Sequence, residues 1–234
     1  MCTVSYLPTS NGCLITSNRD ESIARALAEP PVVADPNSSM LLYPRDPLGG
    51  GTWIASGKKA TVCLFNGAFE PHIQKDHYRT SRGTIPIQFF EHRDAKEFVQ
   101  RFDLQGIEPF SIVIYQNRTL TEIKWDEQKA HLIDHDPEKP GIWASVSLYT
   151  PEVRENRTRM FDSWLSTNPD LNQESIVGFH TSEKSDKENG LLIHRDNGLQ
   201  TVSVTSVRRT DGAESNMIYR DLVSDKQYQQ ELAH

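Results

Sequence analysis

The sequence is poor in cysteine and has no long apolar run. Only three of its 234 residues are cysteine, at positions 2, 13 and 63. A small, odd number of cysteines argues against a disulfide framework. No apolar stretch approaches the roughly 20 residues that a membrane-spanning helix needs, and no basic start followed by an apolar segment marks a signal peptide. We therefore expect a soluble protein of a reducing compartment, the cytoplasm.

Basic charge is also scarce. The chain has 25 Lys and Arg against 32 Asp and Glu, which gives a formal net charge of −7. This excess of negative charge argues against a broad nucleic-acid-binding surface. Neither a Cys pair nor a helical His-Glu motif accompanies the eight histidines. The sequence therefore predicts no nucleic-acid partner, no metal site and no required cofactor.

Apolar residues make up 36% of the chain, which is enough for one sizeable core. No repeat or linker divides the sequence, so residues 1–234 are predicted to form a single domain. In the N-terminal third, residues 2–7 and 13–18 predict one hairpin, and residues 52–56 and 60–66 predict a second. Residues 29–51 are rich in Pro, Asp, Asn and Gly, and they predict a long surface loop.

Helical and strand patterns alternate along the rest of the chain. Helix-like apolar spacing covers residues 85–102 with Asp94 as the N-cap, and Thr150-Pro151 marks the start of another helix. The remaining predictions are a helix over 173–179 and strands over 110–115, 119–125, 129–133, 143–148, 191–194, 200–207 and 215–219. This order predicts two sheets packed face to face with helices outside, an α+β arrangement. The spacing alone does not separate it from a simple two-layer sandwich.

Cys2 is the strongest candidate for chemistry, because it directly follows the initiator Met. A small residue at this position permits removal of Met1, after which the chain would begin with a thiol and an α-amine on one residue. That pair is a nucleophile with its own base. The alternative interpretation is a thiol buried in a strand, which is a common role of free cysteine.

Charged residues end the strand that the first hairpin would place beside Cys2. Arg19 beside Cys2 would lower the thiol pKa, and Asp20 beside the α-amine would hold it for proton transfer. A surface turn with an Arg–carboxylate pair is the simpler alternative. Asn66 ends another apolar strand, where its amide could serve an oxyanion hole or simply form a turn. The glycines at 49–51 let the backbone approach another group closely.

Three motifs resemble the signature of the NRDE family, the family of transport-and-Golgi-organisation type two. They are Met-Cys-Thr at 1–3, Asn-Arg-Asp-Glu at 18–21 and Gly-Gly-Thr-Trp at 50–53. Segments that also resemble bacterial members lie at 63–70, 78–83 and 145–157. The similarity therefore runs over most of the chain.

That family in turn resembles hydrolases with an N-terminal Cys nucleophile, such as choloylglycine hydrolases and penicillin V acylases. The resemblance implies a four-layer αββα sandwich and hydrolysis or acyl transfer at a non-peptide amide or related acyl bond of a small molecule. It makes Cys2 the nucleophile, with Arg19 beside the thiol and Asp20 holding the α-amine. Asn66 would supply an oxyanion donor by its position. Those hydrolases separate the Arg from the Asp, whereas the two are adjacent here.

Asn18, Ser145 and Arg157 complete the candidate set as oxyanion or substrate-binding residues. Ser145 stands where related sequences carry an Asn, and Arg157 matches an Arg on a helix of the hydrolases. The alternative function is a non-enzymatic protein that binds or carries lipid or haem on the same scaffold, since a fold does not fix a function. The sequence leaves the substrate and the oligomeric state open.

Overall fold

The computed structural model describes residues 3–182 and 186–234. Its strands are β1 (Thr3–Thr9), β2 (Gly12–Ser22), β3 (Glu29–Ala34), β4 (Leu41–Arg45), β5 (Ile54–Gly57), β6 (Ala60–Asn66), β7 (Phe110–Gln116), β8 (Thr119–Trp125), β9 (Ala130–His135), β10 (Gly141–Ala144), β11 (Leu199–Thr210), β12 (Glu214–Asp221) and β13 (Lys226–Ala233). Its helices are α1 (Ile85–Gln88), α2 (Ala95–Arg101), α3 (Pro151–Thr167) and α4 (Gln173–His180), and short 3₁₀ turns lie at Arg82–Thr84 and Phe89–Glu91.

The strands form two antiparallel sheets. The six-stranded sheet has the order β10-β1-β2-β11-β12-β13, and the seven-stranded sheet has the order β3-β4-β5-β6-β7-β8-β9. All neighbours in the seven-stranded sheet are also consecutive strands in the sequence, whereas in the six-stranded sheet β2 pairs with β11 from the far end of the chain. Two antiparallel sheets with few helices confirm the α+β prediction.

Strand alternation distributes the apolar side chains over three clusters. In β6, Cys63 and Phe65 belong to a cluster that also contains Val4 and Ile15 of the six-stranded sheet, so the two sheets pack against each other. Val62 lies on the opposite face of β6, in a cluster with residues of α1 and α2. A third cluster joins residues of β1 and β2 to α3 and α4. The period of two along a strand produces this division.

Residues 29–51 correct one prediction, because they contain β3 and β4 and are not a long loop. Leu41 and Leu42 in β4 are buried on opposite faces, one in each neighbouring apolar cluster. Pro30 and Pro31 fall in β3, which is the edge strand of its sheet. An edge strand tolerates proline because one side of its backbone has no strand partner. The prolines are therefore the reason that the sequence predicted a loop where β3 lies.

Three other parts of the chain differ from the sequence prediction. β10 starts earlier than predicted and ends at Ala144, so that residues 145–148 lie outside it. The strand predicted at 191–194 is absent from this described segment, where His194 forms only an isolated bridge to Gln200. β13 was not predicted, because its sequence is mostly polar. It is an edge strand in which Leu232 is the buried residue.

The helix starts follow the capping signals. Asp94 accepts a hydrogen bond from the Glu97 N–H at 2.8 Å and begins α2. Thr150 caps α3, with Pro151 in its first turn. The hairpin of β1 and β2 is confirmed over the described residues. None of the helices in the described part of the chain is long and apolar enough to cross a membrane.

Candidate functional site

A cavity of about 390 Å³ lies where β2 and β6 end. Arg19 and Glu21 reach it from β2, and Leu64 and Asn66 from β6. The rest of its wall comes from Arg25, from residues of the turn before β5, from segment 74–83 and from Glu108. Both sheets therefore contribute to one polar cavity, and the turn 46–51 closes one side of it.

Arg19 is buried in this cavity, and carboxylates compensate its charge. Its Nη2 lies 3.3 Å from Asp46 Oδ2 and 3.8 Å from Glu21 Oε2. The guanidinium also stands over the ring of Trp53, 5.1 Å from the ring centroid. Arg25 binds the same oxygen of Asp46 at 2.8 Å. The two arginines thus share one carboxylate.

Asp46 is the centre of the turn that shapes the cavity wall. Its Oδ1 accepts from the Leu48 and Gly49 N–H groups, each at 3.1 Å. Partial burial acts to raise the pKa of Asp46, but the Gly49 N–H and the guanidinium groups of Arg25 and Arg19 outweigh it and lower that pKa below its ordinary value. Asp46 is therefore ionised at neutral pH.

The glycine run at 49–51 is explained by this turn. Gly50 has a φ of +64°, in the left-handed region that favours glycine. A Cβ on Gly51 would lie only 2.1 Å from the Gly83 carbonyl oxygen. The close backbone approach predicted from the sequence is therefore made to another segment of the chain, at the 3₁₀ turn Arg82–Thr84.

Asn66 lies at the end of β6 on the cavity wall. Its backbone carbonyl accepts a hydrogen bond from the Ser145 hydroxyl at 2.9 Å. Ser145 is buried and directly follows β10 of the other sheet. Its hydroxyl therefore joins the two sheets at this point, which is a structural use of the group that the sequence assigns to oxyanion or substrate binding.

Asp20 and Arg19 are neighbours in sequence but lie on opposite faces of β2, as strand alternation requires. The Asp20 carboxylate accepts from the Tyr149 hydroxyl at 2.5 Å and from the Thr201 hydroxyl at 2.6 Å. Both donors lie on the side that α3 and α4 cover. Asp20 is buried there, with its carboxylate held by two hydroxyl groups.

Asn18 faces the same side as Asp20 and is completely buried. Its amide donates to the carbonyl oxygens of His180 at 3.1 Å and Leu191 at 3.0 Å, and its Oδ1 contacts His180 Nδ1. The Nε2 of His180 lies 2.7 Å from the Ser5 hydroxyl. Burial, aided by the charge of Arg157, lowers the pKa of His180 from 6.5 to about 3. This chain of groups holds α4 against β1 and β2.

Arg157 is also completely buried, on α3. Its guanidinium donates to the Thr3 hydroxyl and to the Gly190 carbonyl. The guanidinium carbon lies 3.6 Å from the centroid of the Tyr149 ring. Arg157 therefore ties the helix to the start of β1.

The structure divides the seven candidate residues into groups. The cavity holds Arg19 and Asn66, the helix-covered side of the six-stranded sheet holds Asn18, Asp20 and Arg157, Ser145 joins the two sheets, and Cys2 lies outside the described residues. Asp46 and Glu108 in the cavity were not predicted from the sequence, nor was His180 on the helix-covered side of the six-stranded sheet. Asp46 lies in the segment that was predicted to be a loop, and no sequence motif marks His180.

The molecule so described is an α+β sandwich with a polar cavity at the ends of two strands. The family model described as Transport and Golgi organisation 2 matches residues 1–210. Because this match covers most of the chain, the protein belongs to that family. The family resemblance read from the three sequence motifs is thereby confirmed. A comparison with curated proteins gives no match.

Proposed function

We propose that this protein is a hydrolase or acyltransferase with Cys2 as an N-terminal nucleophile, acting on a non-peptide amide or related acyl bond of a small molecule. Its two sheets and outer helices would then be the αββα sandwich of such enzymes. The observation that carries the proposal is the register of β1 and β2, which pairs Thr3 with Asn18. Thr3, the first described residue of β1, therefore lies beside the segment of β2 that carries Arg19 into the 390 Å³ cavity.

Side-chain direction supports the same placement. Val4 and Tyr6 of β1 belong to the cluster between the sheets, and alternate residues of a strand share a face. Ile15 of β2 belongs to the same cluster, so Arg19, four residues further along β2, shares that face. Asn66 on the cavity wall would provide the oxyanion donor.

The proposed reaction begins with removal of Met1. The α-amine of Cys2 accepts the thiol proton, and the sulfur attacks the carbonyl carbon of the substrate. The tetrahedral intermediate collapses with cleavage of the C–N bond, and the leaving amine takes the proton back from the α-amine. Water, or an acceptor amine, then attacks the thioester and releases the acyl product and the thiol. Asp20, fixed by Tyr149 and Thr201, would hold the α-amine.

The cavity wall favours a small polar substrate. It carries three arginines and three carboxylates, among them the pair of Arg82 and Glu108 at 2.9 Å. These opposite charges make the wall polar without a strong net charge. The polar wall supports an acyl compound over a lipid or haem.

A second candidate function is binding without catalysis on the same scaffold. The observation that favours it is the pairing of Arg19 with Asp46 and Glu21. A guanidinium whose charge is already compensated stabilises a neighbouring thiolate less than a free one does. In this case the cavity would hold a polar small molecule, and Cys2 would play no covalent part.

Selective labelling of Cys2 tests the proposal. Cys13 and Cys63 are completely buried. Burial raises the pKa of Cys63 to about 12 and also raises that of Cys13, so both remain protonated and unreactive at neutral pH. A thiol-reactive acyl probe should therefore form one adduct per native chain, at Cys2. The Cys2→Ser variant should show no adduct, and the Cys63→Ala control should keep it.

Turnover and intact mass complete the test. Native protein should begin at Cys2, and hydrolysis of simple acyl amides should fall by about a thousandfold or more in Cys2→Ala. Equal turnover in the native protein, Cys2→Ser and Cys2→Ala would rule out the proposed mechanism. Two results would instead establish the second candidate function. The purified protein would retain Met1, and it would bind polar acyl compounds with the same affinity in the native form and in Cys2→Ala.

A further inference from the structure

A second cavity, of about 280 Å³, lies beside α3 and is separate from the polar cavity. Strand β10, at the edge of the six-stranded sheet, contributes Ile142 and Trp143 to its wall. Phe65 and Lys124 reach it from the seven-stranded sheet, and Arg154 and Arg157 are among the residues that reach it from the first turns of α3. The cavity is thus an open pocket bordered by both sheets and one helix.

Two arginines on one face of α3 line this pocket. Arg154 and Arg157 are three residues apart, a spacing that places like charges side by side and destabilises a helix. Within residues 3–182 and 186–234, neither guanidinium forms an ion pair with a carboxylate. The Nε–H of each is buried and has no acceptor there. Arg157 is completely buried, so its unused donor cannot turn to solvent.

The remaining charges around the pocket do not neutralise the two arginines. Lys124 adds a third cation, 2.8 Å from Glu122. The second oxygen of Glu122 is already 3.0 Å from His135. Glu155 also lines the pocket, but its side chain is 70% exposed and pairs with Arg159 at 3.3 Å. The pocket therefore has an excess of positive charge and buried donors that lack an acceptor.

The opposite wall of the pocket is apolar. Trp143 and Phe65 line it together with Ile142 and Val146, and the Trp143 ring is held edge-on against His135 at 5.3 Å. We infer that this pocket binds a small organic anion, a carboxylate or phosphate on a flat apolar group, whose oxygens accept from Arg154 and Arg157 and whose apolar part rests on Trp143. A volume of about 280 Å³ fits a ligand with one ring. The inference does not depend on Cys2 being a nucleophile.

Calorimetric titration with three probes tests the inference: benzoate, phenyl phosphate and inorganic phosphate. Native protein should bind at least one of the two aryl anions more tightly than inorganic phosphate, and the better aryl probe identifies the anionic group. Arg154→Gln should weaken that binding by about tenfold or more, because it removes a charged donor. Arg154 is only partly buried, so this variant should fold, which a melting curve checks.

Two control variants make the outcome decisive. Arg101→Gln removes a charge from α2 at a site 73% exposed and outside the pocket, and it should leave affinity unchanged. Cys2→Ala should also bind as the native protein does, which separates this site from the proposed nucleophile. Absence of binding of both aryl anions at millimolar concentration would overturn the inference. Equal affinity in native protein and Arg154→Gln, or the same loss in Arg101→Gln, would also overturn it.

Discussion

Asn18 and His180 satisfy each other's polar groups beneath the six-stranded sheet. The Asn18 amide nitrogen donates to two carbonyl oxygens, so its Oδ1 is the acceptor that faces His180 Nδ1. This assigns the proton of the neutral imidazole to Nδ1 and makes Nε2 the acceptor for the Ser5 hydroxyl. A buried polar network of this kind is stable only when each member has a partner.

His180 should make stability depend on pH. Its pKa falls from 6.5 to about 3 because burial and the charge of Arg157 both disfavour the imidazolium. Between about pH 6.5 and pH 3, unfolded chains therefore bind a proton that the folded protein excludes. Consequently the contribution of His180 is fully present above pH 6.5 and is lost as the pH falls toward 3. One such proton changes the free energy of unfolding by up to about 1.4 kcal/mol per pH unit.

Denaturant unfolding across this pH range checks the prediction. The free energy of unfolding should fall less steeply with decreasing pH in His180→Gln than in the native protein. His77→Gln is the matched control, because His77 is exposed, and it should keep the native slope. The same slope in all three proteins would show that His180 is protonated as readily in the folded state as in the unfolded state.

At the scale of single elements, α2 depends on its first residue. Asp94 satisfies the Glu97 N–H, and this hydrogen bond is the main reason that the pKa of Asp94 lies below its ordinary value. Phe98 of the same helix is buried in the cluster under the seven-stranded sheet. The cap thus fixes the position from which the helix buries its apolar face.

Removal of this cap should destabilise the protein by a small, measurable amount. We expect Asp94→Ala to lower the free energy of unfolding by about 1 kcal/mol, the usual cost of losing an N-cap acceptor. Asp94→Asn keeps an acceptor oxygen and should retain most of the stability. Urea denaturation of the three proteins measures both effects. A loss as large in Asp94→Asn as in Asp94→Ala would assign the effect to charge and not to capping.

At the scale of the whole molecule, the cluster between the sheets holds the sandwich together. Met217 of β12 is completely buried in it, beside Tyr219 and Val207. Polar links cross the same interface, from the Trp53 Nε1–H to the Thr205 hydroxyl at 3.2 Å and between the hydroxyl groups of Ser56 and Ser215 at 2.6 Å. Hydrogen bonds fix how the sheets align, while apolar burial supplies most of the stabilisation.

Methionine truncation should separate this interface from the surface. Met217→Ala should lower the free energy of unfolding by about 2–5 kcal/mol, because it leaves a cavity in a close-packed core. Met40, which is 51% exposed, is the matched control, and Met40→Ala should change stability by less than about 0.5 kcal/mol. Thermal and denaturant unfolding give both values. Similar losses in the two variants would contradict the assignment of the core to the space between the sheets.

The sequence by itself determined the local structure and the family. Period-two patterns located β1, β2 and β6–β8, and cap residues located α2 and α3, because these signals act between residues close in sequence. The three short motifs identified the family that the match over residues 1–210 shows. The edge strands β3 and β13 were not predicted, because proline and polar residues are tolerated where one side of a strand is unpaired.

Only the tertiary structure decided which side chains meet. Asn18, Arg19 and Asp20 form one polar group in the sequence, yet β2 places Arg19 at the polar cavity and the other two beneath α3 and α4. The partners of these residues come from positions 46, 149, 180 and 201. Such pairings depend on the order of strands in a sheet and on which faces pack together, and these are set by long-range contacts that local patterns do not encode.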